Sequence, residues 1–190
     1  LSPGSYTIHA IDANGCYAES IDTLSYPGQL VIDSTVFTHI SCYGEDDGAV
    51  YDIQFTGGIG PYEYAIDGDY QSYPIFNDLE PGPHTVEVSD INGGVTCVSG
   101  SYPIVISEPT ILNVTLTPSD SSNYQVLCNG GNSGYLDVTA FGGTLPYYTI
   151  YNTDTTFGSA SQITGLDAGN HTFVVEDANG CSYTETITYN

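Results

Sequence analysis

The sequence predicts an all-β chain of tandem β-sandwich repeats, and three observations predict it. One phrase recurs three times in altered wording: Leu1-Ser2-Pro3-Gly4-Ser5-Tyr6-Thr7 leads to Asp12-Ala13-Asn14-Gly15-Cys16, Leu79-Glu80-Pro81-Gly82-Pro83-His84-Thr85 to Asp90-Ile91-Asn92-Gly93, and Leu166-Asp167-Ala168-Gly169-Asn170-His171-Thr172 to Asp177-Ala178-Asn179-Gly180-Cys181. Recurrence at a fixed period marks an array of structural units. Short stretches also alternate apolar and polar residues, which is the period of a half-buried strand. Finally, 22 glycines, 10 prolines and no methionine, with abundant Thr, Val, Ile and Tyr, favour short strands and turns over helix.

Leu79 and Leu166 lie 87 residues apart, Cys42 and Cys128 86, and Gly57-Gly58 and Gly142-Gly143 85, which fixes the unit size at about 85 residues. Prolines in Tyr26-Pro27-Gly28 and Glu108-Pro109-Thr110 remove an amide donor and end ladder pairing there. The expected units are the C-terminal part of a truncated repeat at 1–28, a complete repeat at 29–110 and a second complete or nearly complete one at 111–190. Within them, Ala49–Phe55, Tyr62–Ile66, His84–Val88 and Leu136–Ala140 read as strands. Asn14-Gly15, Asn92-Gly93 and Asn179-Gly180 fall between the last strands of each unit, where Asn-Gly suits a tight hairpin. Six or seven strands in such a length suggest an immunoglobulin-like or fibronectin III-like sandwich. In that architecture a tyrosine at the start of the penultimate strand bonds back to the loop preceding it. Tyr6 stands at this corner, and His84 and His171 take its place in the other units.

Composition excludes several functions. The chain has no Lys or Arg against 23 Asp and Glu, a formal charge of −23 and a sequence pI near 4.1. Nucleic acid needs cations to displace its counterions, so it is excluded as a partner. Adsorption to anionic lipid is disfavoured for the same reason, and no direct insertion of this segment in a membrane is expected. Self-repulsion also keeps the sheet edges of neighbouring molecules apart. With 40% hydrophobic residues and 17 tyrosines, the chain is nonetheless that of a folded protein.

Five cysteines divide into Cys42 with Cys97, Cys128 with Cys181, and an unpaired Cys16 whose partner would lie upstream. One intrachain disulfide per complete repeat would close loops of about 55 residues, each adding roughly 4 kcal/mol in the chain-entropy model. Such bonds imply an oxidising compartment. Zinc is the rival reading, and no C-x2-C spacing supports it.

Catalysis is not expected. His84 and His171 align with Tyr6, His9 and His39 recur nowhere, and no G-x-S-x-G or H-E-x-x-H run is present. No cofactor is expected either; Ca2+ is the one candidate ion, through Glu45, Asp46 and Asp47 or through Asp67 and Asp69, whose hard oxygens sit on short turns. The second unit replaces the first cluster with Asn132-Ser133-Gly134, so a shared ion site is not expected. Tyr70, Tyr73, Tyr147, Tyr148 and Tyr151 are read as exposed, with sheet packing and sugar stacking as their competing roles.

Taken together, Cys42-x-Gly44-x-x-Asp47-Gly48, Gly57-Gly58-x-x-Pro61-Tyr62, Leu79-x-x-Gly82-x-x-Thr85, Asp90-x-Asn92-Gly93, Cys97 and Glu108-Pro109 resemble the SprB-type repeat of Bacteroidetes surface proteins. The pattern recurs as Cys128, Gly142, Gly143, Pro146, Tyr147, Leu166, Gly169, Asp177, Asn179, Gly180 and Cys181. The chain departs from it at the Gly94-Val95-Thr96 insertion and at the lost Asp-Gly pair. The resemblance implies a long cell-surface adhesin, exported across the outer membrane by type IX secretion and used in attachment and gliding. It also implies O-glycans at Asp-Ser/Thr motifs, here at Thr23, Ser34 and Thr155. Expected partners are other repeats of the same chain and an extracellular surface or polysaccharide. A carbohydrate-binding accessory module of a secreted protein, or a surface-layer or filament-forming protein, is the alternative function.

Overall fold

The computed structural model describes residues 1–92, 96–119, 130–152 and 154–190. Its strands are β1 (Gly4–Ile11), β2 (Tyr17–Leu24), β3 (Val31–Thr38), β4 (Gly48–Thr56), β5 (Tyr62–Ile66), β6 (Asp69–Gln71), β7 (Phe76–Leu79), β8 (Gly82–Asp90), β9 (Cys97–Val98), β10 (Tyr102–Ile106), β11 (Asn113–Pro118), β12 (Gly134–Phe141), β13 (Tyr148–Tyr151), β14 (Asp154–Phe157), β15 (Ala160–Leu166), β16 (Gly169–Glu176) and β17 (Ser182–Tyr189). Among the described residues there is no α-helix, so none is long and apolar enough to cross a membrane. The protein is all-β.

One strand order is built twice. β11-β12-β15 and β14-β13-β16-β17 are two antiparallel sheets in the second half, and β3-β4-β7 and β10-β8-β5-β6 follow the same order in the first, with short β9 added beside β8. The hairpin β1–β2, paired from Gly4 opposite Leu24 to Ile11 opposite Tyr17, matches β16–β17, paired from Gly169 opposite Tyr189 to Glu176 opposite Ser182.

The chain divides into two compact units. The first gathers Leu1–Val36, Val50–Ile75 and His84–Ile104; the second gathers Phe37–Ala49, Phe76–Pro83 and Val105–Asn190. In the second unit, β12 shows the alternation that its sequence predicts: Leu136, Val138 and Ala140 are buried while Tyr135, Thr139 and Phe141 face outward. These three pack with Tyr147, Leu166, Phe173, Val175 and Tyr189 in the core of a β-sandwich. Each large side chain buried there contributes about 1.5–3 kcal/mol, and a slip of one residue in β12 would turn its whole apolar set to water.

In the first unit, Val50, Ile53, Ala65, Val86, Val88 and Ile104 are buried. The β1–β2 hairpin is different: only Tyr6 is even half-buried, and Ile8, Ile11, Tyr17, Ile21 and Leu24 are exposed. Asp67 and Gly68 join β5 to β6 with φ of 51° and 91°, the two positive values of a two-residue type I′ turn.

Candidate functional site: a loop cluster with a covalent junction

Within each repeat the recurring motifs converge on a loop cluster. In Asp177-Ala178-Asn179-Gly180-Cys181 the buried Asp177 carboxylate accepts the amides of Asn179 at 2.9 Å and Cys181 at 3.0 Å through Oδ1. Oδ2 accepts the Thr144 amide at 2.8 Å, which ties in the loop after Gly142-Gly143. The main chain closes the turn by bonds from Gly180 N to Asp177 O and from Asp177 N to Cys181 O. Only the glycine takes positive φ, at 84°, so this is a type I turn ended by a left-handed glycine. The sequence suggests a positive φ at the asparagine as well; the carboxylate's hold on the Asn179 amide removes the need.

Asp90 repeats the design by accepting the Ile59 amide at 2.7 Å and the Asn92 amide at 3.0 Å. These amides hold its carboxyl below the usual carboxylate range against an opposing effect of burial. Asp12 does the same for Asn14 and Cys16, and the Cys16 and Asn14 amides lower its pKa.

The paired glycines are explained by what approaches them. A Cβ on Gly142 would lie 2.1 Å from the Ile111 carbonyl oxygen, and one on Gly143 would lie 2.5 Å from Asp177 Oδ2. Gly57 is as tight, with the Gln29 carbonyl oxygen at 1.9 Å. The Tyr147 and Tyr62 hydroxyls of the two Pro-Tyr pairs donate to the carbonyls of Gly142 and Gly57. Cis peptides precede Pro61 and Pro146. Asp, Gly-Gly and Pro-Tyr are thus one unit of structure.

The loop carrying Cys42 is built by other carboxylates. Asp47 accepts the Ser41 amide at 2.8 Å, and the Ser41 hydroxyl, then its amide, hold that carboxyl below its usual range. Glu108 accepts the Gly44 amide at 2.6 Å, and Glu45 N bonds to Cys42 O. This loop and the Asp177 turn meet: Asn179 Nδ2 donates to Ser41 O at 2.8 Å, and Cys42 is bonded to Cys181 with Cα atoms 5.6 Å apart. Cys181 Sγ also lies 3.4 Å from Ser41 O, a contact only, since a disulfide sulfur carries no proton. Beside the bond lies an open cleft of about 480 Å³ lined by Tyr43, Glu45, Ile111, Leu112 and Tyr183 among others.

This corrects the pairing expected from spacing. Cys42 is joined to Cys181, 139 positions away, and Cys97 is a free, exposed thiol, as is Cys16. Cys128 lies outside the described residues. Spacing sets the entropy of closing a loop, whereas bond formation requires Cα atoms within about 4.4–6.8 Å. Only the fold decides which cysteines satisfy that. The bond therefore joins the loop after β3 to the turn between β16 and β17, both within the second compact unit, and does not join Cys42 to Cys97.

The other candidate residues have structural partners. Tyr6 OH donates to Ser2 O, and His171 Nε2 bonds to Asp167 O at 2.9 Å, also four residues back. With Nε2 donating, His171 Nδ1 accepts from Tyr151 OH at 2.6 Å. His84 Nδ1 lies 2.7 Å from Asp67 Oδ2. Burial raises the Asp67 pKa, but the Thr85 amide, the His84 ring and the Thr85 hydroxyl outweigh it and lower the carboxyl overall. His39 accepts the Ser107 amide, and His9 bonds to Tyr17.

Among the described residues no group of three or more His, Cys, Asp or Glu is placed to hold a metal ion. Glu45, Asp46 and Asp69 are exposed. Thr23, Ser34 and Thr155 are exposed on β2, β3 and β14. Tyr70 and Tyr73 are exposed, with Tyr70 OH donating to Glu87; Tyr148 and Tyr151 are half-buried. Tyr147 is a core residue, 5% exposed, because its strand-entry position turns the ring inward to reach Gly142 O.

The model of the SprB repeat family matches residues 34–69 and 124–155. No curated protein sequence matches the chain at a significant level. Among solved structures, the C-terminal 282-residue fragment of intimin, crystallised with the intimin-binding domain of the translocated intimin receptor, is similar at 15% identity and a TM-score of 0.42. The likeness covers 87% of this chain and 65% of that one, so the chain spans less than two thirds of the fragment's length.

Proposed function

Because the chain carries SprB-type repeat segments at 34–69 and 124–155, we propose that it is a structural and adhesive stretch of a surface or extracellular protein, a spacer that carries load between a cell and what it holds. The observation that carries this reading is duplication: the same strand order and the same Asp, Gly-Gly and Pro-Tyr cluster are built twice. Repeated scaffolds with changed surfaces suit reach and continuity of the chain. The carboxylates that recur do so as acceptors for loop amides. We propose module seams near 28 and 110, where the prolines fall. Export through the outer membrane and a part in gliding rest on the family likeness alone.

The test is retention under flow. Beads coated with the whole 190-residue chain should resist detachment from glass or polysaccharide films better than beads coated with an equally acidic control. Equal detachment would remove the adhesive part of the reading.

A carbohydrate-binding role is the second reading, favoured by Tyr70, on β6, and Tyr73, just after it, standing 44% and 57% exposed. Saturable binding on a glycan array that Tyr73→Ala abolishes would support it, and a blank array would end it.

A further inference from the structure

The disulfide does more than close a loop. We propose that the Cys42–Cys181 bond is a staple between successive repeats, which carries tension past the residues it encloses and makes two repeats one mechanical element. Pulled from its ends, the chain loads β1 to β3, reaches Cys42, crosses the sulfur bridge to Cys181 and leaves along β17. Everything from 43 to 180 is spared the pull. The bridge exists whatever the protein holds on to; its biological use rests on the load-bearing reading above.

Three further observations support the staple. Both cysteines sit in turns built by carboxylates, Cys42 through Asp47 and Glu108, and Cys181 through Asp177. The bond from Asn179 Nδ2 to Ser41 O holds the two turns together beside the sulfurs. Finally, the compact unit that contains Val105–Asn190 also takes in Phe37–Ala49, so the Cys42 loop groups with the second repeat.

Cys16 ends the same Asp-x-Asn-Gly turn on its own hairpin, with the same amide bond to its aspartate. Cys97 follows Asp90-x-Asn92-Gly93 in the sequence, with 93–95 outside the described residues, and is free. In a longer array this geometry links each Cys-x-Gly-x-x-Asp-Gly loop to the turn cysteine of the repeat that follows, so that successive staples overlap. Each bond forms as two thiols give up two protons and two electrons to a disulfide-class oxidant. A dithiol returns both and reopens it.

Single-molecule stretching of the whole chain from its two ends tests this. Adding dithiothreitol should lengthen the fully unfolded chain by about 460–500 Å, which is the 139-residue separation at about 3.3–3.6 Å per residue. Cys42→Ser and Cys181→Ser should each give the long form without reductant, and Cys97→Ser should behave like the parent. A gain of only about 180–200 Å would mean that a bond within one repeat, such as Cys42 to Cys97, had formed instead. That result, or no gain at all, overturns the proposal. Detachment under flow is scored separately, so loss of adhesion with the long gain intact would count against the adhesive reading alone.

Discussion

Replacing Asp177 by alanine tests whether the recurring aspartate is a structural acceptor. The substitution orphans three amides: Thr144, Asn179 and Cys181. A hydrogen bond to a charged group contributes about 1.5–3 kcal/mol, but water can reach Asn179 once the carboxylate is gone. Asn179 is exposed and Thr144 and Cys181 are half-buried, so the loss should be about 2–4 kcal/mol rather than the full sum. With a urea slope of about 2 kcal/mol/M, the midpoint of chemical denaturation falls by about 1–2 M. Asp177→Asn should lose less, since Oδ1 can be kept for two amides while its NH2 faces the Thr144 donor. Asp12→Ala, in the same turn on the exposed first hairpin, is the control and should barely move the midpoint. If Asp177→Ala shifts it no more than Asp12→Ala does, the loop cluster is not held as described.

Gly142→Ala places a methyl 2.1 Å from a backbone oxygen at a φ of 78°, and should cost about 3 kcal/mol or more, read as a lower urea midpoint or loss of folded protein. Gly165→Ala, at a φ of 80° with nothing within 4 Å, should cost only about 1 kcal/mol; equal costs would refute the steric reading. Reducing the 139-residue bridge should remove about 5 kcal/mol in the chain-entropy model, so a melting temperature unchanged by reductant would count against it. Asp47, Asp67 and Asp90 have pKa values lowered by folding, so the stability they add is present above the unfolded value near 3.8 and is lost as pH falls through the folded values. Carboxyl carbon NMR should show these three titrating below that value, and ordinary midpoints would refute their assigned partners.

Much of the fold was legible because alternation is a local signal. Tyr62–Ile66 matches β5 residue for residue, and Leu136–Ala140 lies within β12, whose buried face is the apolar one. The repeat register also carried over, since β1–β2 and β16–β17 share their pairing. The site was less legible. The sequence presents Asp, Gly-Gly and Pro-Tyr as separate fragments, yet Asp177 and Thr144 meet across 33 positions. Their joint recurrence in both repeats was the available signal. The Asp67-Gly68-Asp69 segment looked like an ion site because a type I′ turn and a cation loop both favour Asp and Gly. The partner of Cys42 was hidden, because chain spacing cannot register a contact between one repeat and the next.

The acceptor role of these carboxylates has a consequence for salinity. Asp47, Asp90 and Asp177 are satisfied by amide and hydroxyl donors of their own and neighbouring loops, and a chain without lysine or arginine has no lysine or arginine ion pairs for dissolved electrolyte to weaken. Added electrolyte acts instead on the repulsion among the remaining surface carboxylates, which it relieves. Brine should leave this molecule firmer than fresh water does.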